Sequence, residues 1–269
     1  RIEVPPAQDE LSELALTFNH MLDRLERGFN QQQRFVSDAS HELRTPVTVI
    51  LGYSDLLARW GSSDAKLLEE GITSIRSEAE DMQDLIEKLL FLARAAQKRQ
   101  ILHKDFVHLD ELVDDAVRKM KLVAKEHTVQ IAVNEPGIIY ADPATMRQMM
   151  RIFLENAVKY TPAGGHIAVS SRRLPEKGCM ELTFADDGIG IAQEDKDKIF
   201  ERFYRADSAR TKKADSIGGT GLGLSIASWI AEQHEIEIAV ESELDKGTKF
   251  ILTIPLAEDD ESDTSDKEG

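Results

Sequence analysis

Through the first third of the chain, apolar residues recur at alternating three- and four-residue steps, and the phase of that repeat divides it into three segments. Leu11, Leu14, Phe18, Met21 and Leu25 form the first, with charges on the outer positions, a pattern that predicts a coiled-coil helix. The repeat loses phase between Gly28 and Gln33, where Gly28 and Gln32 take the expected core slots. It resumes in a new register with Val36, Ser40, Leu43, Val47, Ile50, Ser54 and Leu57. A phase break between two coiled segments is a place where a twist can be transmitted. Pro46 removes a backbone donor inside the second segment and should bend or loosen the helix locally. Trp60 to Asp64 reads as a turn, with Ser or Asp ready to cap the next helix. Leu68, Ile72, Ile75, Ala79, Met82, Ile86, Leu89, Ala93 and Ala96 then hold the repeat without a miss. Two long amphipathic helices joined by a short turn predict an antiparallel hairpin. Apolar residues beside its seams (Val49, Leu56, Leu67, Leu85) predict that two hairpins pair as a dimeric four-helix bundle.

From about Gln100 the period changes. His103 to Val107, Thr128 to Val133 and Ile138 to Tyr140 read as strands, and Leu109 to Glu126 and Pro143 to Tyr160 as helices. His166 to Arg173 and Met180 to Ala185 alternate as a hairpin around Pro175-Glu176-Lys177-Gly178. After a loop-rich region ending at Gly223, a helix runs to His234, and Ile236 to Glu241 and Thr248 to Leu256 close the domain as strands. The second half is therefore α+β, a mixed sheet with helices. Residues 258–269 are acidic, Ser-rich and free of apolar side chains, and are expected to be disordered.

Composition narrows the function classes. A chain of 269 residues predicts two or three units, and 41% hydrophobic with 30% charged residues suits a globular protein with a sizeable core. The net charge of -16 argues against general binding to nucleic acid or to an anionic membrane, since both require a basic surface. One cysteine, Cys179, excludes an internal disulfide and a cysteine zinc site, and a reduced cytoplasmic setting is the simple expectation. No apolar run approaches the roughly 20 residues of a transmembrane helix. The chain opens at Arg1 within a helical connector, which suggests a fragment of a longer protein.

Five blocks carry candidate chemistry. On the outer side of the second helical segment, His41 has a carboxylate beside it, Glu42, and a hydroxyl one turn on, Thr45, an arrangement with no packing purpose. In the second half, Asn156-Ala157-Val158-Lys159-Tyr160 puts an amide, an ammonium and a phenol within about one helical turn. The amide oxygen suits a hard cation such as Mg²⁺ and the ammonium suits phosphate. Asp186-Asp187-Gly188-Ile189-Gly190-Ile191 follows a strand with an acceptor carboxylate and glycines that admit a flat ligand close to the backbone. Phe200 to Arg205 joins aromatics to basic groups, and Gly218-Gly219-Thr220-Gly221-Leu222-Gly223-Leu224 opens a helix whose N-terminal amides suit an anion. The other histidines have no comparable neighbours and read as structural.

His41-Glu42-Leu43-Arg44-Thr45-Pro46 resembles the phospho-acceptor box of sensor histidine kinases. The later four blocks, in that order, look like the N, G1, F and G2 boxes of the ATP-binding domain shared by histidine kinases, gyrase and Hsp90. The order Asp9-Glu10-Leu11-Ser12-Glu13-Leu14, followed by Phe18-Asn19 and Asp23 to Glu26, resembles half of a HAMP signal relay. The resemblance covers nearly the whole chain and implies four parts. These are a HAMP-like connector over 1–30, a dimerisation and phosphotransfer hairpin over 31–98, an ATP-binding α+β sandwich of the kinase, gyrase and Hsp90 type over 99–257, and the tail.

It also implies roles. His41 would be the nucleophile that becomes phosphohistidine, Glu42 the acceptor of its Nδ1 proton, and Thr45 the group that holds water against a partner's phospho-aspartate. Asn156 would coordinate Mg²⁺, Lys159 reach the phosphates of ATP, and Tyr160 lie against the base. Asp186 would take the adenine amino group over a floor shaped by Gly188 and Gly190. Arg205 resembles the family's γ-phosphate arginine. Arg210 is a second candidate within a lid spanning 207–217, which closes through Gly219, Thr220, Gly221, Leu222 and Gly223. Many kinases carry a second Asn where this chain has Ile152, and gyrase and Hsp90 carry there a Glu that activates water. With Glu155 one residue off that face, a dedicated ATP hydrolase is not expected. The implied partners are a second copy of the chain and a response-regulator receiver domain, with a membrane anchor upstream in a full-length protein of the cell membrane. Two rivals remain at this point: an adaptor that binds nucleotide without modifying His41, and a sensor acting chiefly as a phosphatase.

Overall fold

The computed structural model describes residues 10–61, 64–97, 99–206 and 219–257. Arg210, the lid over 207–217 and the acidic tail lie outside the described residues. The chain forms two compact units, Arg1–Leu89 and Leu90–Gly269. None of the described helices is long and apolar enough to cross a membrane.

The first unit is built from α1 (Glu10–Trp60) and most of α2 (Ala65–Ala96). α1 runs unbroken through the phase break at Gly28–Gln33 and through Pro46. Losing heptad phase changes which face is apolar but removes no backbone hydrogen bond, so the helix has no cause to stop there. At the turn, the Gly61 N–H reaches the Leu57 carbonyl at 2.9 Å. Asp64 caps α2 by accepting from the N–H groups of Lys66 and Leu67 at 3.0 and 3.1 Å. Gly71 lets the helices close there, since a Cβ on it would come within 2.9 Å of the Leu57 side chain.

The inner stripe of the hairpin is displaced from the expected seam. On α1 it runs through Ala39, Leu43, Pro46, Ile50, Tyr53 and Leu57, and on α2 through Gly71, Ile75, Met82, Leu85 and Leu89. Leu85, expected beside the seam, is 3% exposed, whereas Val36 and Ile72, expected within it, are 58% and 55% exposed. Val47, Leu68 and Ile86 are exposed with them. Each helix carries an apolar band wider than one neighbour can cover. Periodicity locates the band but not the half that faces the sister helix.

The two compact units divide within α2, and the last turns of α2 cluster with the second unit, where Phe91 meets Trp229 edge-on at 5.2 Å. The second unit holds β1 (Asp105–His108), α3 (Leu109–Val123), β2 (Thr128–Asn134), β3 (Ile138–Ala141), α4 (Pro143–Tyr160), β4 (His166–Leu174), β5 (Cys179–Asp186), α5 (Gly223–Gln233), β6 (Glu237–Glu243) and β7 (Gly247–Pro255). These bounds fall within three residues of those expected, because each strand alternates and each helix keeps one apolar face. β1 pairs with β3 as a separate antiparallel ribbon. The main sheet has the order β2-β4-β5-β7-β6, with β2 parallel to β4 and the other pairs antiparallel. Alternate residues of its central strands (Ile167, Val169, Met180, Leu182, Phe184, Phe250, Leu252, Ile254) are buried under the helices. Phe153 of α4 centres this core, stacked on Phe184 at 5.3 Å and tilted against Phe250 at 4.9 Å.

A polar knot fixes the start of α4. Asp142 caps the helix through the N–H groups of Ala144 and Thr145, both at 2.9 Å, and also accepts from the His103 N–H at 2.7 Å. Burial alone would push its carboxyl up, but these donors outweigh it and hold the group below the usual carboxylate range. The Asp142 N–H donates to His234 Nε2 at 3.0 Å, so the ring proton sits on Nδ1 and goes to the Ile230 carbonyl at 2.8 Å. That arrangement requires a neutral ring, and burial, with a smaller effect of the Lys104 charge, holds its pKa below 6.5.

As pH falls, the unfolded His234 takes up a proton before the folded one. Its contribution is therefore complete above pH 6.5 and is lost below it. Thermal unfolding followed from pH 8 to pH 5 should show Tm dropping through that window. His234→Gln should be less stable at pH 8 by about 1–3 kcal/mol, with a shallower pH slope. Equal slopes for the two proteins would exclude His234 as the titrating group.

Candidate active site

On α1, His41 and Thr45 are exposed and share one face, a helical turn apart, as expected. Glu42 is half-buried, and among the described residues no hydrogen bond joins it to His41. Pro46 is buried against the inner stripe directly beyond them.

The second unit assembles a separate constellation around the end of β5. α4 supplies one wall. Its buried stripe (Met146, Met149, Phe153, Ala157) leaves Asn156, Lys159 and Tyr160 at the open edge of its last turns. Asn156 Nδ2 is enclosed, with no hydrogen-bond partner among the described residues. The Lys159 ammonium lies 4.9 Å over the Tyr160 ring and occupies the space beside Gly219 where a Cβ would stand. Burial pushes the Tyr160 phenol up, while the charge of Arg205 pulls it the other way, so Arg205, itself exposed, acts on the same edge. Ile152 is 3% exposed and packs toward Gly223, leaving no polar group in that slot. Glu155 points outward, 3.7 Å from Arg151.

Asp186 stands at the centre. Its Oδ1 accepts from the N–H of Gly188 at 2.9 Å and of Thr248 at 3.2 Å, while its Oδ2 has no partner among the described residues. Burial pushes this carboxyl up, helped by the charge of Asp187 and opposed by the two N–H donors. Asp187 is tied elsewhere, accepting from the His166 N–H at 2.7 Å and lying 3.0 Å from His166 Nδ1, contacts that hold it below the usual range.

The glycines of this loop make close backbone contacts. A Cβ at Gly188 would collide with the Tyr160 carbonyl, and one at Gly190 (φ 70°) with that of Glu243. Gly247 (φ 101°) lies against the Asp186 carbonyl in the same way. The Ile189 N–H bonds the Tyr160 carbonyl at 3.1 Å, and the Ile189 carbonyl accepts from Asp245 at 2.8 Å. The Asp186 loop is thus gripped between the end of α4 and the β6–β7 turn.

The remaining blocks meet at one point. The Phe203 N–H bonds the Gly221 carbonyl at 3.0 Å, with Phe203 at φ 61° and Gly221 at φ 65°. Gly219 and Thr220 lead to Leu222, which caps α5, and Gly223 is its first residue. Tyr204 donates to Asp195 at 2.7 Å. Sequence reasoning gave no separate site role to Ser242, Thr248, His166, Asp187 and Asp195. The glycine entering β7 just before Thr248 was the available signal, since glycine at a strand end marks a close backbone approach.

Two family models match the chain. Residues 31–98 match the His Kinase A (phospho-acceptor) domain, and residues 141–258 the histidine kinase-, DNA gyrase B- and HSP90-like ATPase. The sensor histidine kinase YkoH of Bacillus subtilis is 40% identical over 246 residues, covering 91% of this chain and 52% of that protein. The signal transduction histidine-protein kinase ArlS of Staphylococcus aureus is 36% identical over 251 residues, covering 93% and 54%. The chain thus spans about half the length of these curated relatives. Among solved structures, full-length ShkA in complex with AMPPNP is similar with a TM-score of 0.59 and 26% identity, covering 84% of this chain and 46% of that one. The Acinetobacter baumannii histidine kinase AdeS shares the fold with a TM-score of 0.60 at 21% identity, over 81% and 98%.

Gly247→Ala should place a methyl group on the Asp186 carbonyl at a φ that L residues resist. A stability loss above about 1 kcal/mol is expected. Gly164→Ala is the control, because its φ of 87° is close to that of Gly247 but no atom lies within 4 Å of its would-be Cβ. Paired urea titrations check this, and equal losses in the two variants would show that strain, not the close contact, sets the cost.

Proposed function

Because the chain belongs to the sensor histidine kinases of two-component systems, we propose that it transfers the γ-phosphoryl group of ATP to His41 and from there to an aspartate of a response-regulator receiver domain. The observation that carries this reading is the Asp186 carboxylate. It has one oxygen fixed by two backbone N–H groups and the other without a partner among the described residues, with Gly188 packed against the carboxylate.

An exocyclic amino group of adenine satisfies the remaining oxygen, Tyr160 covers the base, and Lys159 and Arg205 meet the phosphates. The backbone amides of Gly219, Thr220, Gly221, Leu222 and Gly223, at the start of α5, suit the same anion, with Arg210 as a second cation. Asn156 fits Mg²⁺, because its enclosed amide end lacks a partner among the described residues, and turning the amide over offers oxygen to a hard cation. No three described His, Cys, Asp or Glu side chains converge to hold a metal themselves. Such an ion would depend on this amide and the nucleotide's phosphates, whose charge it would neutralise. Ile152 supplies no base for water, which supports transfer to an imidazole over hydrolysis.

In the transfer, the lone pair of His41 Nε2 attacks the γ-phosphorus, the bond to the β-phosphate oxygen breaks, and ADP leaves. The ring proton on Nδ1 then belongs to a cation, and Glu42, one residue on, is the acceptor that stabilises it. Thr45, exposed on the same face, is placed to direct water at a phospho-aspartate, so we also propose the reverse, phosphatase activity. A second copy of the chain covers the exposed halves of the helical bands, Val36, Val47, Ile72 and Ile86 among them. Leu14, Phe18, Met21 and Leu25 extend that stripe toward the N-terminus, which supports a HAMP-like connector over 1–30. We further propose that these two units work in the cytoplasm and that the full-length protein is anchored in the cell membrane.

Incubation with γ-labelled ATP and Mg²⁺ tests the kinase reading. Wild type should acquire base-stable, acid-labile label, while His41→Gln and Asp186→Asn remain unlabelled. Nucleotide binding without label would reject it in favour of an adaptor. Thr45→Ala should keep autophosphorylation but clear a phosphorylated receiver at least about tenfold more slowly.

A further inference from the structure

Ser242 lies half-buried on β6, and its hydroxyl has three partners. It accepts from the Ile191 N–H at 2.8 Å, donates to the Gly247 carbonyl at 2.9 Å, and stands 2.9 Å from Thr248 Oγ1. A serine hydroxyl has one proton and two lone pairs. An N–H can only donate and a carbonyl only accept, so the serine proton goes to Gly247. The third bond must then be donated by Thr248.

Thr248 has thereby given its only hydroxyl proton to Ser242. Its backbone N–H is spent on Asp186 Oδ1, and Asp186 Oδ2 has no partner among the described residues. The side-chain oxygens of Asp186 and Thr248 are therefore left as acceptors only. Adenine presents an amino donor at the ring position where guanine presents a carbonyl acceptor.

We propose that Ser242 is a positioning residue for base selection: by holding the Thr248 proton and the Ile191 N–H, it keeps the Asp186 floor rich in acceptors and so favours adenine over guanine. The inference rests on the nucleotide reading above. Without the Ser242 hydroxyl, Thr248 can turn its O–H to the Asp186 carboxylate and compete there with the adenine amino group.

Equilibrium binding of ATP and of GTP, each with Mg²⁺, tests this on wild type, Ser242→Ala, Ser242→Thr, Thr248→Val and the Ser242→Ala/Thr248→Val double variant, with Tm recorded for each. Ser242→Ala should lose about tenfold in ATP affinity while GTP changes by less than about twofold, so the preference for ATP narrows. Ser242→Thr retains the hydroxyl and should restore the preference. In the Thr248→Val background, Ser242→Ala should leave the ATP-to-GTP ratio unchanged. Equal losses for both nucleotides, with a fall in Tm, would assign Ser242 a purely structural role and overturn the proposal. Unchanged ATP affinity, or a further change of the ratio in the Val background, would overturn it too. A wild-type chain that binds neither nucleotide would overturn the nucleotide reading itself.

Discussion

The second unit depends on the backbone-to-backbone approach of three chain segments at the end of β5. Gly188 meets the carbonyl of Tyr160, Gly190 that of Glu243, and Gly247 that of Asp186, each at a distance that admits no Cβ. These contacts fix the Asp186 carboxylate relative to the last turn of α4 and to the start of β7. The side chains that could read a base and those that could hold phosphate therefore share one frame. Glycine makes this approach possible, since Gly190 and Gly247 hold positive φ without a steric penalty; Phe203, also at positive φ, is not a glycine and carries local strain. Strained backbone of this kind persists only where surrounding structure over-determines it, and here the Phe203 N–H is held by the Gly221 carbonyl at 3.0 Å.

Electrostatics on this frame are set by which donors the fold brings to each carboxylate. Asp186 and Asp187 are adjacent in sequence yet shift in opposite directions. Asp186 is half-buried with two N–H donors on one oxygen, and desolvation dominates. Asp187 is exposed and bound through backbone and ring by His166, so hydrogen bonding dominates. One carboxylate is left available to a ligand, and its neighbour serves to hold the loop.

The helical unit obeys a different constraint. Its two helices carry apolar bands that one sister helix cannot cover, and a single chain leaves Val36, Leu51, Ile72 and Ile86 facing outward. His41 and Thr45 stay exposed because they lie off the band altogether. The apolar band and the His41–Thr45 pair thus occupy different faces of α1, and these two side chains carry no share of the hairpin's cohesion.

Local pattern alone determined the secondary structure of this protein. Pro143 to Tyr160 reads as a helix from its apolar spacing, with Asp142 at the cap and Pro at the first position, and it forms with those bounds. The five candidate blocks were legible as well, because glycines before helices and paired polar groups at helical spacing are short-range signals. Tertiary structure decided the rest. Which half of each helical band turns inward depends on how two bands fit together, and Leu85 and Ile72 exchanged their expected environments on that account. Ser242 and Thr248 came to the Asp186 loop only when β7 was laid beside β5 and β6 beside β7, since a hydroxyl takes partners that are distant in sequence. Periodicity records which side of an element is apolar, while the pairing of sides and the direction of each proton are settled by contacts between elements.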